Sequence, residues 1–97
     1  MAKYYLTNKA VEDLSDIWDY TIETWSELQA EKYYYLLLAS CDDLANNPEF
    51  GRNYDMVTKG ILGFKSGEHI IFYSIIAKNE IEIIRILHGR MDLKSKL

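Results

Sequence analysis

Arg85, His88 and Arg90, with His69 and Tyr73 upstream of them, are the residues of this chain whose types could carry chemistry. Cleavage of RNA through its 2′-hydroxyl needs a general acid or base that titrates near neutrality. It also needs cations for the charge of the developing phosphorane, and histidine and arginine suit those roles. The spacing works against one cluster, because residues 85 and 88 of an unbroken strand point to opposite faces. The structural alternative pairs Arg85 with a nearby carboxylate, Glu80 or Glu82, and leaves His69 and His88 at strand ends. No glycine-rich phosphate loop, nucleophile elbow or metal-ligand spacing appears, so neither a metal nor a cofactor is expected. The acids Glu12, Asp16, Asp19 and Glu23 are spaced for a helical face, not aimed into a pocket, which argues against a glycosidase. The single cysteine, Cys41, excludes an intrachain disulfide. Its place between Leu38 and Leu44 is that of a small buried hydrophobe.

The elements that would position these residues follow from periodicity. Lys3-Tyr4-Tyr5-Leu6-Thr7 is β-prone and reads as an opening strand. Thr7 or Asn8 can cap the helix that follows. Ala10, Leu14, Ile17, Trp18, Thr21 and Trp25 recur at the three- and four-residue steps of one helical face, with the four acids on another. Ser26-Glu27-Leu28-Gln29 has the form of a capping box and starts a second helix that runs to about Ala45. Its sheet-facing side would hold Ala30, Tyr33 or Tyr34, Leu37, Cys41 and Leu44. Asn46-Asn47-Pro48 ends it, and so short a break between two helices makes them an antiparallel hairpin. Residues 46–60 read as a long loop of the kind that contacts a partner. Ile61–Lys65, His69–Ile76 and Ile81–Leu87 are strands, with turn chemistry at Ser66-Gly67 and Lys78-Asn79. The middle strand is apolar on both alternating sets and should be covered on both faces. The fold class is α+β, ordered β-α-α-β-β-β, with a helical hairpin on an antiparallel sheet.

Ninety-seven residues make a single domain, 1–97, that buries roughly 65% of its unfolded surface. The net charge is −4, placed unevenly. Residues 1–50 hold three lysines against ten acids, net −7, and residues 51–97 hold eight Lys/Arg against five acids, net +3. An acidic chain is a poor general nucleic-acid binder, so a protein partner is favoured over direct nucleic-acid contact. No signal peptide is expected, no apolar run approaches the ~18 residues of a membrane span, and the expected location is the cytoplasm. Trp18, Trp25, Tyr33 and Tyr34 are the candidate partner anchors, since aromatics dominate interface energetics. After Gly89 the basic tail with Arg90, Met91 and Lys94 is a candidate contact to a target: Arg90 for a carboxylate, Met91 as an adaptable apolar anchor.

Five blocks in order resemble the ParE toxins of the RelE/ParE toxin–antitoxin superfamily. They are Tyr5-Leu6-Thr7-Asn8-Lys9-Ala10 with Asp13-Leu14 and Ile17-Trp18-Asp19-Tyr20; Trp25 ahead of Ala30; Asn47-Pro48-Glu49-Phe50-Gly51-Arg52; Gly67-Glu68-His69-Ile70-Ile71-Phe72-Tyr73; and Arg85-Ile86-Leu87-His88-Gly89-Arg90-Met91-Asp92. The resemblance implies a growth-inhibiting toxin held inactive, in a toxin–antitoxin hetero-oligomer, by a ParD-type antitoxin. ParE-like members generally lack the catalytic set and many poison DNA gyrase. RelE-like members cleave messenger RNA on the ribosome, and Arg85, His88 and Arg90 would be the candidates for that chemistry. An inert module that retains only antitoxin binding is the third possibility. The chain departs from the family at Gly63, where arginine is frequent.

Overall fold

The structure is a computed structural model and describes residues 2–90 and Leu97. Strand β1 (Lys3–Leu6) leads into helix α1 (Asn8–Thr24), which turns through Trp25-Ser26 into helix α2 (Glu27–Asn46). A 3-10 turn (Pro48–Phe50) and a two-residue strand β2 (Arg52–Asn53) follow. Strands β3 (Leu62–Ser66), β4 (His69–Ala77) and β5 (Glu80–His88) complete the fold.

Caps set both helices. Thr7 Oγ1 accepts the Ala10 N–H at 3.0 Å and donates to the Ile84 carbonyl at 2.8 Å, so one hydroxyl caps α1 and fastens its start to β5. Ser26 Oγ accepts the Gln29 N–H at 3.1 Å and starts α2. The helices lie on one face of a sheet ordered β1-β5-β4-β3-β2. Strands β3 to β5 pair antiparallel, as expected, and β2, which falls within the expected loop of residues 46–60, pairs antiparallel with β3. Strand β1 joins β5 parallel, Lys3 opposite Glu80 through Leu6 opposite Ile83, and makes the five-stranded sheet mixed. A parallel neighbour is possible because the whole helical hairpin and β3–β4 intervene as the connection.

The main core lies between hairpin and sheet: Ala10 and Leu14 of α1, Leu37, Cys41 and Leu44 of α2, and Ile71, Tyr73, Ile81, Ile83 and Ile86 of the sheet. Burial pushes the Cys41 thiol up to about 12, as befits a packed hydrophobe and not a nucleophile. A second, smaller core of Ile61, Phe72 and Leu87 sits on the opposite face, with Tyr54, Ile84 and Leu97 packed against it. Strand β4 is thus covered on both faces over Ile71, Phe72 and Tyr73, although Ile75 and Ile76 at its far end are exposed.

Residues 46–60 are not one open loop. Tyr73 Oη donates to the Pro48 carbonyl at 2.6 Å and accepts the Gly51 N–H at 2.9 Å, pinning the 3-10 turn to the sheet. Beyond β2, Asn53 Oδ1 accepts the Asp55 N–H at 2.6 Å, and Asp55 Oδ1 accepts the Gly60 N–H at 2.7 Å. The Gly60 amide, helped by Asn53, holds the Asp55 carboxyl below the usual carboxylate range. These side-chain-to-backbone bonds supply what strand pairing does not, so a segment without apolar period folds into a strap over Phe72.

Candidate functional site

The histidines open the site. His69 begins β4 and His88 ends β5, directly opposite in the ladder, with ring centroids 5.4 Å apart. Tyr33 of α2 reaches down to them. Its hydroxyl accepts the Glu68 N–H at 2.9 Å and lies 2.6 Å from His69 Nδ1. With the amide donating in, the tyrosine proton has two acceptors, Nδ1 at 2.6 Å and the Ser66 carbonyl at 3.5 Å, and the shorter contact favours Nδ1 and the neutral Nε2–H tautomer of His69. Desolvation first, and His88 next, lower the His69 pKa below the ordinary histidine value, while Glu68 and Asp13 oppose the shift. His88 Nδ1 accepts the Arg90 N–H at 3.2 Å.

Arg85 stands beside them for a reason that alternation does not supply. The β4–β5 register shifts between Phe72 and Tyr73, whose partners are Arg85 and Ile83, so Ile84 is an extra residue in a β-bulge. A bulge re-aims the residues around it. Here it lets the Arg85 guanidinium turn to the helix side, where Asp13 of α1 grips it with Nε to Oδ2 at 2.8 Å and Nη2 to Oδ1 at 2.9 Å. Asp13 Oδ2 also accepts the Ile86 N–H at 3.0 Å, an amide next to the bulge. Hydrogen bonding to Asp13 raises the Arg85 pKa further above its already high value, against desolvation.

Several sequence expectations are therefore corrected. Arg85 pairs with Asp13, not with Glu80 or Glu82; Glu80 instead accepts the Tyr5 hydroxyl at 3.2 Å. Arg85 and His88 share one cavity of about 180 Å³ with Asp16, Ile17 and His69, instead of facing opposite ways. Tyr73 is fully buried and tied to the 47–51 turn, so Tyr33, not Tyr73, is the phenol at the histidines. Trp25 does not continue the buried face of α1. It is the C-cap residue, 74% exposed, because the helix ends there and its ring clears the hairpin.

A wider groove of about 560 Å³ runs from the histidine pair past Tyr33 and Glu68 to Tyr20 and Trp25 at the end of α1. Of the four aromatic anchors read from the sequence, Trp25 and Tyr33 line this groove. Trp18 and Tyr34 lie half-buried in the seam between the helices, edge to face with centroids 5.7 Å apart. Arg90 is exposed just after β5, while Met91 and Lys94 lie outside the described residues. Asp13 and Tyr20 were missed as site residues. Asp13 carried only a weak signal, an acid one step from the apolar Leu14 on the side of α1 that packs inward, whereas Tyr20 carried none beyond its type. Among the described residues, no group of three His, Cys, Asp or Glu side chains is placed to hold a metal ion. No described helix is long and apolar enough to cross a membrane.

The result is a small α+β domain, a helical hairpin over one face of a five-stranded mixed sheet with an aromatic and histidine-lined groove. The sequence model described as "ParE toxin of type II toxin-antitoxin system, parDE" matches residues 4–93. The protein named Toxin ParE1 in Mycobacterium tuberculosis is 35% identical over 96 residues, 99% of this chain and 98% of that one. Toxin ParE1 of Caulobacter vibrioides is 34% identical over 97 residues, 100% of this chain and 99% of its own. The chain belongs to the ParE toxin family of type II toxin–antitoxin systems. Its fold is also that of a chain in the chromosomal ParDE system from P. aeruginosa, with a TM-score of 0.78 at 21% identity over 91% of this chain and 96% of that one.

Proposed function

We propose that this chain is the growth-inhibiting toxin of its module and acts by binding an essential protein, DNA gyrase, without itself catalysing a reaction. A cognate antitoxin of the ParD type, encoded beside it, neutralises it in the cytoplasm of the producing cell as a toxin–antitoxin hetero-oligomer. The observation that carries the non-catalytic reading is the Asp13–Arg85 pair. The arginine that a nuclease would turn toward a phosphorane is held by a two-pronged carboxylate that also binds the sheet backbone. The neighbouring imidazole of His69 has one nitrogen occupied by Tyr33. Net acidity, concentrated on α1, further disfavours a ribosome-bound nuclease.

Binding has ample surface. Tyr20, Trp25, Leu28, Tyr35 and Leu36 are all exposed on the hairpin, a large apolar display for a monomer of this size. An antitoxin segment, disordered when free, would order as a helix against it. The target contact is assigned to the tail, through Arg90, Met91 and Lys94, where charge and an adaptable apolar anchor adjoin.

Induced expression in bacteria without the antitoxin tests the reading. Chromosome breaks with an SOS response are expected. Rapid translation arrest with cleaved transcripts would replace it with the nuclease reading, and unimpaired growth would leave an inert antitoxin-binding module.

A further inference from the structure

The groove at the hairpin turn carries a specific charge pattern as well as aromatic surface. Tyr20, Trp25, Tyr33 and the His69–His88 pair line it together with Glu68. The adjoining cavity adds Asp13 and Asp16 against Arg85, so across the two there are three carboxylates to one guanidinium. With the His69 imidazole favoured in its neutral form, these charges leave the surface net negative.

Helix α1 adds to this. Its last turn, which supplies Tyr20, Thr21 and Trp25, carries no basic residue, so the negative end of a 17-residue helix dipole opens here unanswered. The positive end of α2 lies close by, through Gln29, but it is offset by the Ser26 cap and by Glu27 in its first turn. Tyr20 and Trp25 are 66% and 74% exposed. An electron-rich ring face beside a carboxylate and a helix C-terminus is a receptor for a cation, and a planar guanidinium stacks on such rings better than an ammonium does.

We propose that this groove is an arginine receptor, taking the guanidinium of a partner chain between Trp25 and Tyr20 with Glu68 as its counter-charge. That the donor chain is the antitoxin rests on the function proposed above; the guanidinium specificity does not. The docked cation would anchor the partner's helix at the hairpin turn and fix its register along the exposed hairpin surface. It would also be sensitive to acid. The groups facing His69 are Tyr33 from α2, Asp13 and Asp16 from α1, Glu68 from the turn, and His88 and Arg85 from β5. Protonating His69 adds positive charge to the groove that the guanidinium enters and weakens its binding.

The full chain, titrated with N-acetyl-arginine amide and followed by NMR at the Trp25 indole N–H and the two histidine rings, tests the receptor without any antitoxin. Saturable shifts at these three residues are expected. N-acetyl-citrulline amide, nearly isosteric and uncharged, should bind several-fold more weakly. Glu68→Gln and Trp25→Ala, both exposed positions, should each weaken the arginine probe several-fold with the fold intact, and acidification should do the same. Equal binding of the two probes, no saturable shift, or variants that leave the shifts unchanged would overturn the assignment. The wild-type growth assay reads the toxin function separately, so a failed receptor and a failed toxin reading give different results.

Discussion

Asp13 and Arg85 meet in a two-pronged ion pair across 72 residues of chain, with contacts of 2.8 and 2.9 Å. Both side chains are largely covered, at 10% and 19% exposure, and the aspartate also satisfies the Ile86 amide that the β-bulge leaves beside it. The pair joins the first helix to the last strand and completes a backbone ladder that would otherwise hold an orphan donor. It accounts for both acid and arginine without invoking catalysis.

Asp13→Ala should therefore destabilise strongly, by about 3 kcal/mol, because it strands a partly buried guanidinium and a buried amide together. Asp13→Asn, which keeps one acceptor for the amide, should cost less. Chemical denaturation of the two variants measures the difference. Similar, near-zero losses would mean that the pair is ornamental.

Tyr73 is the second fold-holding polar contact, and it sits where sequence reasoning placed a site residue. Tyr73→Phe removes both bonds to the 47–51 turn and should cost about 1–2 kcal/mol. Faster amide exchange at Gly51 would localise the loss. Gly51→Ala should do similar damage from the other side, since its Cβ would collide with the Tyr73 hydroxyl.

What was legible in the sequence was whatever has a period or a cap. Both helices, their Thr7 and Ser26 caps and the β3–β5 meander follow from spacing that local physics enforces. The parallel placement of β1 was not legible, since a four-residue strand carries no mark of its neighbour's direction. Nor was the bulge at Ile84, beside which Arg85 turns toward Asp13 and lines one cavity with His88: Ile83-Ile84-Arg85-Ile86 looks like regular alternation with one extra isoleucine. Family blocks located Gly67 to Tyr73 and Arg85 to His88 as important. The chemistry within them, Tyr33 on His69 and Asp13 on Arg85, links each block to a helix outside it, and only the fold brings those together.

Gly63 stands where the family resemblance predicts arginine. The Tyr54 ring lies over it, with a Cβ at Gly63 falling 2.6 Å from Tyr54 Cε2, and Tyr54 meets Phe72 edge to face at 5.3 Å. The absent side chain is thus the seat of an aromatic that closes the second core. Gly63→Arg should expel Tyr54 and lower stability by about 1–3 kcal/mol, with gain of Tyr54 exposure read by its quenching or nitration. A variant as stable as the parent would show that the strap over Phe72 re-forms without it.

The last prediction concerns pH. His69 is held neutral by burial and by His88, so its folded pKa lies below the unfolded value of 6.5. Between those two values the unfolded chain binds more protons than the folded one, and stability rises with pH across that window. The contribution is complete above about 6.5 and is lost as pH falls through the folded pKa, where protonation also takes away the acceptor that Tyr33 uses. Thermal melts of the wild type should therefore begin to fall below about pH 6.5. In His69→Gln that upper limb should flatten, since an amide keeps an oxygen for the Tyr33 hydroxyl but does not titrate. A limb that persists unchanged in the variant would move its origin away from His69, and with it the assignment of the neutral Nε2–H tautomer.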